Sequence, residues 1–455
     1  MAPAGPPPLL ARGRVAPPGG APRTGHRTPR RVVPLLRTAH PCGTAPADPA
    51  RSVLGWPCAN RPSPPLRHVS HGRAATRGRR PSPRQENAMN PLRSRCAAAL
   101  GTLLASLALG SLAPSSAASQ PRELVVPSAA YPTVQSAVDA ARAGDRIALR
   151  PGVYREQVTI HKNLTLTGAG AGRTTILAPE QLVAGPDGRN AIVSLDNSAS
   201  VKISRLTVSG PGSGTCDEGA LGAGIRVQDG AHLDLSHAAV THIKDTPLAP
   251  CFRSANAVLI GDFPTGAGSA DIRDTEVTDY QGAGIVVLGA ASKATLLRNV
   301  VTGQKTLSTD GIEFVEATGR AEQNTVSDNA CREPDPACGP DFFTEFQHAG
   351  ILANTGVTVA RNRLVRNQLG LYAVGVMETS HNTFVDNEYF AMAFQDGRFT
   401  AVKDTVRGGG GGVAAIATVV NTTVKLDQVR ITRITGDRIR KFEQNGFTAK
   451  VTTRR

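Results

Sequence analysis

Asp310 and Glu313 are the two side chains of this 455-residue chain best placed for acid–base chemistry. Hydrolysis of a glycosidic bond with inversion uses two carboxyl groups about 6.5–9.5 Å apart. Residues three positions apart on a flat strand are about 10 Å apart and point to opposite faces. The pair can therefore act together only if a turn bends between the two residues. The alternative is a glycine-containing turn whose acids are incidental.

His348 is a third candidate catalytic residue, because it enters a predicted strand directly after the longest predicted loop, 330–347. In that loop, Asp341 and Glu345 are candidate ligand contacts, and three phenylalanines stand close to them in sequence. Aromatic side chains on such a loop could grip a sugar chain. They could equally pin the loop to the rest of the molecule.

Tyr372 and Arg226 are two further candidate ligand contacts. Tyr372 is expected to project outward from a strand in a column with Leu352 and Met392, where its ring offers a stacking surface. Arg226 is also expected to point outward. Its guanidinium could bind the carboxylates of an acidic polymer, or it could be a solvated surface charge.

A repeat that begins near Arg205 supplies the elements that position these residues. A short stretch ending in Asn or Asp is followed by x-V-x-x-N and then by a Gly-Ile strand, and successive copies start 20 to 38 residues apart. The copies start at Arg205, His237, Asp274, Asn299, Asn324, Asn362, Asn382, Asp404 and Asp427. Such a period predicts a solenoid whose insertions fall in loops. The Asn and Asp column from Asp274 to Asp404 is expected to be structural, with side chains stacked about 4.8 Å apart.

The insertions gather at one place in the repeat, between the x-V-x-x-N strand and the Gly-Ile strand. They cover residues 211–221, 243–254, 305–308 and 330–347. Because each coil stacks on the last, insertions at one corner would form a wall beside the sheet of Gly-Ile strands. The sequence therefore predicts a groove along the solenoid.

The formal net charge of +15 belongs to the N-terminal part of the chain. Residues 1–88 hold 15 Arg against two acidic residues and are expected to be a disordered or untranslated extension. Residues 89–118 have a basic start, an apolar run and a small-residue exit, which is typical of a secretory signal. Residues 119–455 should form one exported domain with balanced charge, which argues against nucleic-acid binding. No segment after Leu112 is apolar for long enough to span a membrane.

Four of the seven cysteines follow the predicted signal: Cys216, Cys251, Cys331 and Cys338. An even number in an exported chain indicates two disulfides, for which three pairings are possible. Cys216 and Cys251 lie in loops of consecutive coils at the same corner, so we expect them to pair. Cys331 and Cys338 would then close one loop. Zinc is not expected, because the cysteines suit disulfides and the histidines are scattered.

The segment from Thr133 to Glu156 indicates how the solenoid begins. Thr133 can cap a short helix that ends at Gly144, and an amphipathic helix before stacked strands suits a lid over an open end. The whole segment, including the G-x-Y-x-E piece Gly152–Glu156, resembles the N-terminal cap and first coil of pectinesterases and related pectate-lyase-like proteins. The resemblance implies an all-β, right-handed parallel β-helix with an N-terminal capping helix.

A second resemblance concerns activity. Thr309–Phe314 is similar to the N-T-D-G-I-D motif of polygalacturonases, in which the first Asp is catalytic, and this assigns that role to Asp310. The next coil reads Gln347-His348-Ala349-Gly350 without the further Asp residues of those enzymes, and Arg438–Lys441 is only a loose counterpart of their R-I-K motif. The Q-D-T-L, D-F-I-F-G and L-G-R-P-W motifs of pectinesterases are absent from the sequence. A lyase would need a calcium-binding acid cluster, for which no ligand spacing is evident.

These features predict a secreted, single-domain, monomeric protein whose partner is an extended, acidic polysaccharide. One hypothesis is an enzyme, either a glycoside hydrolase that uses Asp310, Glu313 and His348 or a lyase with bound Ca²⁺; no other cofactor is expected. The second hypothesis is a non-catalytic wall-binding or adhesive solenoid. The missing motifs favour the second hypothesis, whereas the corner loops and the Asp310 motif favour the first.

Overall fold

A computed structural model describes residues 120–183, 190–212, 220–246, 255–263, 266–305, 309–330 and 348–455. Within these ranges the chain winds through successive coils, and a full coil contributes one strand to each of three parallel sheets. The first and second sheets are joined through the long strands Leu369–Ser380 and Phe390–Val402 into one 22-stranded network, and the third sheet has 11 strands. The predicted all-β parallel solenoid is therefore confirmed.

The strands of each sheet follow one another along the chain. The first sheet contains β4 (Val158–Ile160), β7 (Asn190–Leu195), β10 (Leu221–Val227), β13 (Asn256–Ile260), β16 (Ile285–Leu288), β19 (Ile312–Val315), β22 (Ala349–Asn354), the first halves of β25 (Leu369–Ser380) and β27 (Phe390–Val402), β29 (Gly411–Ala417) and β32 (Ile439–Glu443). The second contains β1 (Glu123–Val126), β2 (Arg146–Leu149), β5 (Leu164–Thr167), β8 (Ser200–Ser204), β11 (Ala231–Ser236), β14 (Gly268–Arg273), β17 (Lys293–Leu297), β20 (Thr318–Glu322), β23 (Val357–Ala360), the second halves of β25 and β27, β30 (Thr422–Asp427) and β33 (Ala449–Arg454). The third contains β3 (Gly152–Arg155), β6 (Thr174–Leu177), β9 (Thr207–Ser209), β12 (Ala239–Ile243), β15 (Glu276–Tyr280), β18 (Val300–Thr302), β21 (Thr325–Ser327), β24 (Arg363–Val365), β26 (Thr383–Val385), β28 (Thr405–Arg407) and β31 (Arg430–Thr432).

The core lies inside the coils and repeats with them. Ile285, Ile312 and Ile351 lie opposite one another in successive strands of the first sheet, and all three are fully buried. Their neighbours along each strand point outward, since successive side chains of a strand alternate between its two faces. The outer face of the first sheet is thus set by the same alternation that builds the core.

Helix α1 (Val134–Ala140) packs against β1, β2 and β4 at the N-terminal end of the solenoid, as the sequence predicts. The Thr133 and Ser136 side chains each accept the other's backbone N–H at 3.1 Å, which is a capping box. The helix ends earlier than predicted, with Ala141 rather than Gly144 at its C-terminus. Gly144, with φ 92°, lies in the turn that follows.

The G-x-Y-x-E segment holds this helix in place. The Glu156 carboxylate accepts the backbone N–H groups of Val134 and Gln135 at 2.8 and 2.9 Å, which satisfies free donors in the first helical turn. The Tyr154 hydroxyl donates to the carbonyl oxygen of Arg150 at 2.8 Å. In this chain, therefore, the segment has a structural role.

The corner between the second and third sheets holds a ladder of side-chain amides. Its members are Asn299, Asn324, Asn362, Asn382 and, at the end, Asp404, all of them buried. Each Asn Nδ2 donates to the Oδ1 of the next member at 3.0–3.1 Å. The same Oδ1 accepts the backbone N–H of the preceding member at 2.6–2.9 Å. The predicted structural role of this column is confirmed for these five residues.

Asp274 is not part of this ladder, so that part of the prediction is wrong. In its coil, Thr275 occupies the ladder position and donates its backbone N–H to Asn299 Oδ1 at 3.1 Å. Asp274 comes one residue earlier, at φ 50°, and accepts two N–H groups of Arg298 at 2.8 Å each. The repeat in this coil is shifted by one residue from the predicted alignment.

A second amide ladder, which was not predicted, runs along the corner between the third and first sheets. Asn329 donates its Nδ2 to Asn367 Oδ1 at 2.9 Å, and Asn367 donates in turn to Asn387 Oδ1 at 3.3 Å. The buried Tyr280 hydroxyl donates to Asn329 Oδ1 at 2.6 Å. The last Asn of each x-V-x-x-N motif forms this ladder.

Candidate functional site

The candidate residues lie on the outer face of the first sheet and at the corner where each of its strands begins. All four predicted insertions connect a third-sheet strand to a first-sheet strand, which confirms that they share one corner. Asp341 and Glu345 lie outside the described residues. So do Cys216, Cys251, Cys331 and Cys338, and both disulfides remain predictions.

One outward-facing column of the first sheet contains three of the candidates. Strand register places these residues opposite one another, one per coil: Arg226, Leu259, Val286, Glu313, Leu352, Tyr372, Ala393, Ala414 and Arg440. Since strands are about 4.8 Å apart, Arg226 and Tyr372 are about 24 Å apart along this column. Met392 was assigned to it wrongly, because Met392 faces the core opposite Leu371 and the outward position belongs to Ala393.

Arg226 is a buried member of this column. Its guanidinium lies 3.3 Å from Asp262 Oδ2, and its side chain is 3% exposed. Burial lowers the pKa of Arg226, while the charges of Asp262 and Asp229 act in the opposite direction. A solvated surface charge is therefore excluded, and a direct contact between Arg226 and a ligand stays a prediction.

Glu313 occupies the middle of the column, half-buried, between two apolar neighbours. Register puts it between Val286 in the preceding coil and Leu352 in the following one. Val286 is buried although it faces outward. Glu313 is thus an acidic side chain within a largely apolar stretch of the outer face.

Asp310 lies just before β19 and is also buried. The chain bends at Gly311, where a Cβ atom would lie 2.3 Å from Val326 Cγ1, so only glycine fits without a shift. The chain therefore bends between Asp310 and Glu313, and the joint action of their two carboxyl groups stays a prediction.

The Asp310 carboxylate also has a structural function. Its Oδ1 accepts the backbone N–H of Ala349, which begins the next first-sheet strand, at 2.6 Å. Asn256 Oδ1 accepts the N–H of Ala283 at 2.8 Å in the same way, two coils earlier. Asp310 therefore binds the next coil whether or not it also performs chemistry.

His348 is brought next to Asp310, as expected from the sequence. It precedes Ala349, so its Cα lies diagonally across from that of Asp310 at about 6 Å. His348 is 3% exposed and donates its backbone N–H to Gln368 Oε1 at 3.1 Å. A buried imidazole and a buried carboxyl therefore begin two adjacent strands of the first sheet.

Tyr372 lies two coils beyond Glu313 in the outward column. Its hydroxyl is hydrogen-bonded to the side chain of Gln395 in the next coil. Burial raises the pKa of Tyr372 well above its usual value, and the negative charges of Asp396 and Asp310 raise it further.

Two residues near the site, Asp262 and Gln368, were not identified from the sequence, whereas Gln395 and Asp396 were noted only because they share Gln-Asp with a pectinesterase motif. Asp262 follows its partner Arg226 by 36 residues, which a search at one-coil spacing could have found. Asp396 binds a turn, because its carboxylate accepts the backbone N–H groups of Thr418 and Val419 at 2.7 and 3.0 Å. The Gln395-Asp396 pair, which matches the start of a pectinesterase motif, therefore has a structural use here.

Two further features of the described residues bear on metal binding and on membrane spanning. Across the described ranges, no group of three or more His, Cys, Asp and Glu side chains is arranged to hold a metal ion. None of the helical segments in those ranges has both the length and the apolar character needed to cross a bilayer. Calcium as a cofactor stays a prediction.

Known proteins resemble the chain in fold. The model of the right-handed β-helix region matches residues 263–429. An α-1,3-glucanase of family GH87 from Streptomyces thermodiastaticus is 16% identical and aligns over 73% of this chain and 69% of its own, with a TM-score of 0.43. A GH136 lacto-N-biosidase from Eubacterium ramulus is 12% identical and aligns over 73% of this chain and 68% of its own, with a TM-score of 0.43. A pectin methylesterase from Erwinia chrysanthemi is 12% identical and aligns over 58% of this chain and 79% of its own, with a TM-score of 0.32. No curated protein matches the sequence.

Proposed function

Because the chain is a right-handed parallel β-helix protein, we propose that it is an exported, carbohydrate-active protein whose outer first-sheet face binds an extended, acidic polysaccharide. We propose further that it is a glycoside hydrolase acting through Asp310 and Glu313. The observation that carries the proposal is that Arg226, Glu313 and Tyr372 lie in one outward-facing column of the first sheet. Asp310 and His348 begin two of the strands that this column crosses.

The outer face offers the contacts that a polymer would need. The Tyr372 ring can stack against a sugar. Further along the same face, Phe390 and Phe442 pack edge to face at 5.9 Å, and the Arg440 guanidinium lies 4.9 Å from the Phe442 ring centre. Arg440 brings a positive charge to the end of the column, where it could meet the carboxylates of an acidic polymer.

Cleavage would use the two carboxyl groups on either side of the bend at Gly311. One would protonate the leaving oxygen and the other would activate water, as in inverting glycoside hydrolysis. His348, beside Asp310, would hold that carboxyl in place or relay its proton. Because Asp310 also binds Ala349, its position is fixed by the fold before any ligand arrives.

The test is a reducing-end assay on a panel of uronic-acid polymers with three variants. Asp310→Asn keeps an Oδ1 acceptor for Ala349, as Asn256 does naturally, and Glu313→Gln removes the second acid. Asp271→Asn, on the exposed outer face of the second sheet, is the matched control. We expect each site variant to lose about 100-fold or more in rate with binding retained, and the control to match wild type.

A non-catalytic polysaccharide-binding solenoid is the second candidate. The hydrogen bond between Asp310 and Ala349 favours it, because the Asn256 counterpart shows that this position has a use without chemistry. If wild type releases no reducing ends and no unsaturated products from any polymer, while Tyr372→Ala weakens binding, this second candidate is correct. Unsaturated products that require added Ca²⁺ would instead indicate a lyase.

Export and a monomeric state belong to the same proposal. Expression from Met89 with N-terminal sequencing of the secreted product tests export, and we expect the mature chain to begin near residue 119. Light scattering of that product tests the monomer. A product retained in the cell with residues 89–118 intact would contradict the export proposal.

A further inference from the structure

One residue per coil adopts a left-handed conformation at the corner between the second and third sheets, with φ from 50° to 57°. These residues, called here the basic row, are Arg205, His237, Asp274, Arg298, Gln323, Arg361, His381, Lys403 and Gln428. All except Asp274 are exposed. The left-handed conformation is unfavourable for residues with a Cβ, and Gly, Asn, Asp and His tolerate it best. Backbone preference therefore does not account for the Arg and Lys side chains of this row.

A second row of left-handed residues, at the corner between the third and first sheets, provides an internal comparison. Its non-glycine members are His242, Asp279, Lys305, Asp328, Arg366, Asp386 and Arg433. Opposite charges alternate along much of this row and pair across coils. Lys305 and Arg366 both approach Asp328, at 3.7 and 2.6 Å, and His242 lies 3.6 Å from Asp279. Much of this second row therefore neutralises its own charge.

The basic row does not neutralise itself. Its one acid, Asp274, is bound by Arg298. Within the described ranges, Arg205, Arg361 and Lys403 lie beyond ion-pair distance of any carboxylate. Arg363, two residues after Arg361, adds an exposed cation at the start of the adjacent third-sheet strand. The row therefore carries four exposed Arg and Lys side chains, Arg205, Arg298, Arg361 and Lys403, which are two or three coils apart, or about 10–14 Å.

We propose that the basic row binds a linear polyanion, and that this polyanion is an acidic polysaccharide. A line of fixed cations, two or three coils apart, complements a linear chain that carries repeated carboxylates or sulfates. Proteins that bind single-stranded nucleic acid add aromatic platforms for the bases. The described residues flanking the basic row are Ser, Thr, Asn, aliphatic and charged residues, without aromatic rings, which favours the polysaccharide.

This site is separate from the one on the first sheet, because the basic row lies at the one corner that the first sheet does not border. Binding of a polyanion at the basic row requires no catalytic step. The two sites could hold one polymer at two places or two different chains. The inference stands whether or not the proposed hydrolysis takes place.

The test compares two triple variants with equal loss of charge. Arg205→Gln, Arg361→Gln and Lys403→Gln remove three cations of the row, and glutamine is the natural residue at two other positions of the same row, Gln323 and Gln428. Lys202→Gln, Lys293→Gln and Lys450→Gln remove three exposed cations from the outer face of the second sheet and serve as the control. Both sets are built in a Tyr372→Ala background, so that the first-sheet face contributes less to binding.

The probe is polygalacturonate, with affinity measured at several salt concentrations. We expect the basic-row variant to bind about tenfold or more weakly, with a salt slope smaller by about 3, one for each cation removed. The control should change by less than about twofold, and both variants should unfold at the same temperature as their parent. Equal weakening in the two variants, absence of binding in the parent, or binding of single-stranded DNA in preference to polygalacturonate would each overturn the inference.

Discussion

Asp404 ends the asparagine ladder by accepting the side-chain N–H of Asn382 at 3.1 Å and its backbone N–H at 2.6 Å. The Thr379 hydroxyl donates to the other Asp404 oxygen at 2.7 Å. Burial raises the pKa of Asp404 to about 6, although the hydrogen bonds from Thr379 and Asn382 favour the ionised form. An ionisable carboxyl therefore occupies a position that in four other coils holds a neutral amide.

Replacing Asp404 by Asn should stabilise the protein at neutral pH. Because the pKa in the folded state lies above the usual 3.8, protonation of Asp404 stabilises the fold at low pH. That contribution is lost as the pH rises through about 6. We expect Asp404→Asn to raise the free energy of unfolding at pH 7 by about 1–3 kcal/mol, and by less at pH 4. Urea unfolding from pH 4 to 8 measures this, with Asp427→Asn as the control, and an unchanged pH profile would contradict it.

Removing a member from the middle of the ladder should have the opposite effect. Asn324 accepts the Nδ2 of Asn299 at 3.0 Å and donates its own Nδ2 to Leu296 O at 3.0 Å, all within the core. Asn324→Ala leaves these groups without a partner and should cost about 2–4 kcal/mol in the free energy of unfolding. Gln323→Ala, at the exposed neighbouring position, should cost less than about 0.5 kcal/mol. A similar loss in both variants would show that the ladder does not account for the effect.

Gly311→Ala should damage both the fold and the candidate site. The added Cβ would lie 2.3 Å from Val326 Cγ1 and 2.7 Å from the Gly350 carbonyl oxygen. We expect a loss of about 1–3 kcal/mol and a lower rate in any assay that depends on Asp310. Gly172→Ala is the matched control, because its Cβ would meet nothing within 4 Å. If Gly311→Ala unfolds at the wild-type temperature, the bend is not as tightly packed as described.

Asp262 should matter mainly through Arg226. Removing the acid leaves the buried guanidinium with less compensation for its charge, so Asp262→Ala should destabilise the protein by about 3 kcal/mol. Adding Arg226→Met should recover much of that loss, because the buried charge is then absent. A double-mutant cycle by thermal unfolding measures the coupling. Additive losses would show that the pair contributes little.

The fold could be predicted from the sequence because the repeat is local. Each Asn of the ladder stands at the same place in its own copy, and the alternation within each strand marks the core. The capping helix followed from Thr133 and the apolar positions after it, although its C-terminal end at Ala141 did not, because a later glycine gave the stronger signal.

The site was harder to predict, for reasons that particular residues make clear. Met392 and Ala393 differ by one position, and a slip of one residue in a strand exchanges its inner and outer faces. Asp274 shows the same slip in the repeat itself. The burial of Arg226 depends on Asp262 in the next coil. Reading each strand separately does not reveal this partner, whereas comparing residues one coil apart would.

Within both amide ladders, the bonds from one amide to the next join only neighbouring coils. Asn362 and Asn382 are 20 residues apart, and the Asn362 amide donates to the Asn382 amide oxygen. Asn324 and Asn362 are 38 residues apart, and they form the same bond. A duplicated or deleted coil of this kind would restore the same bonds to its new neighbours. Gene duplication can therefore change the number of coils, and with it the length of any polymer that the outer surfaces hold, without redesign of the interior.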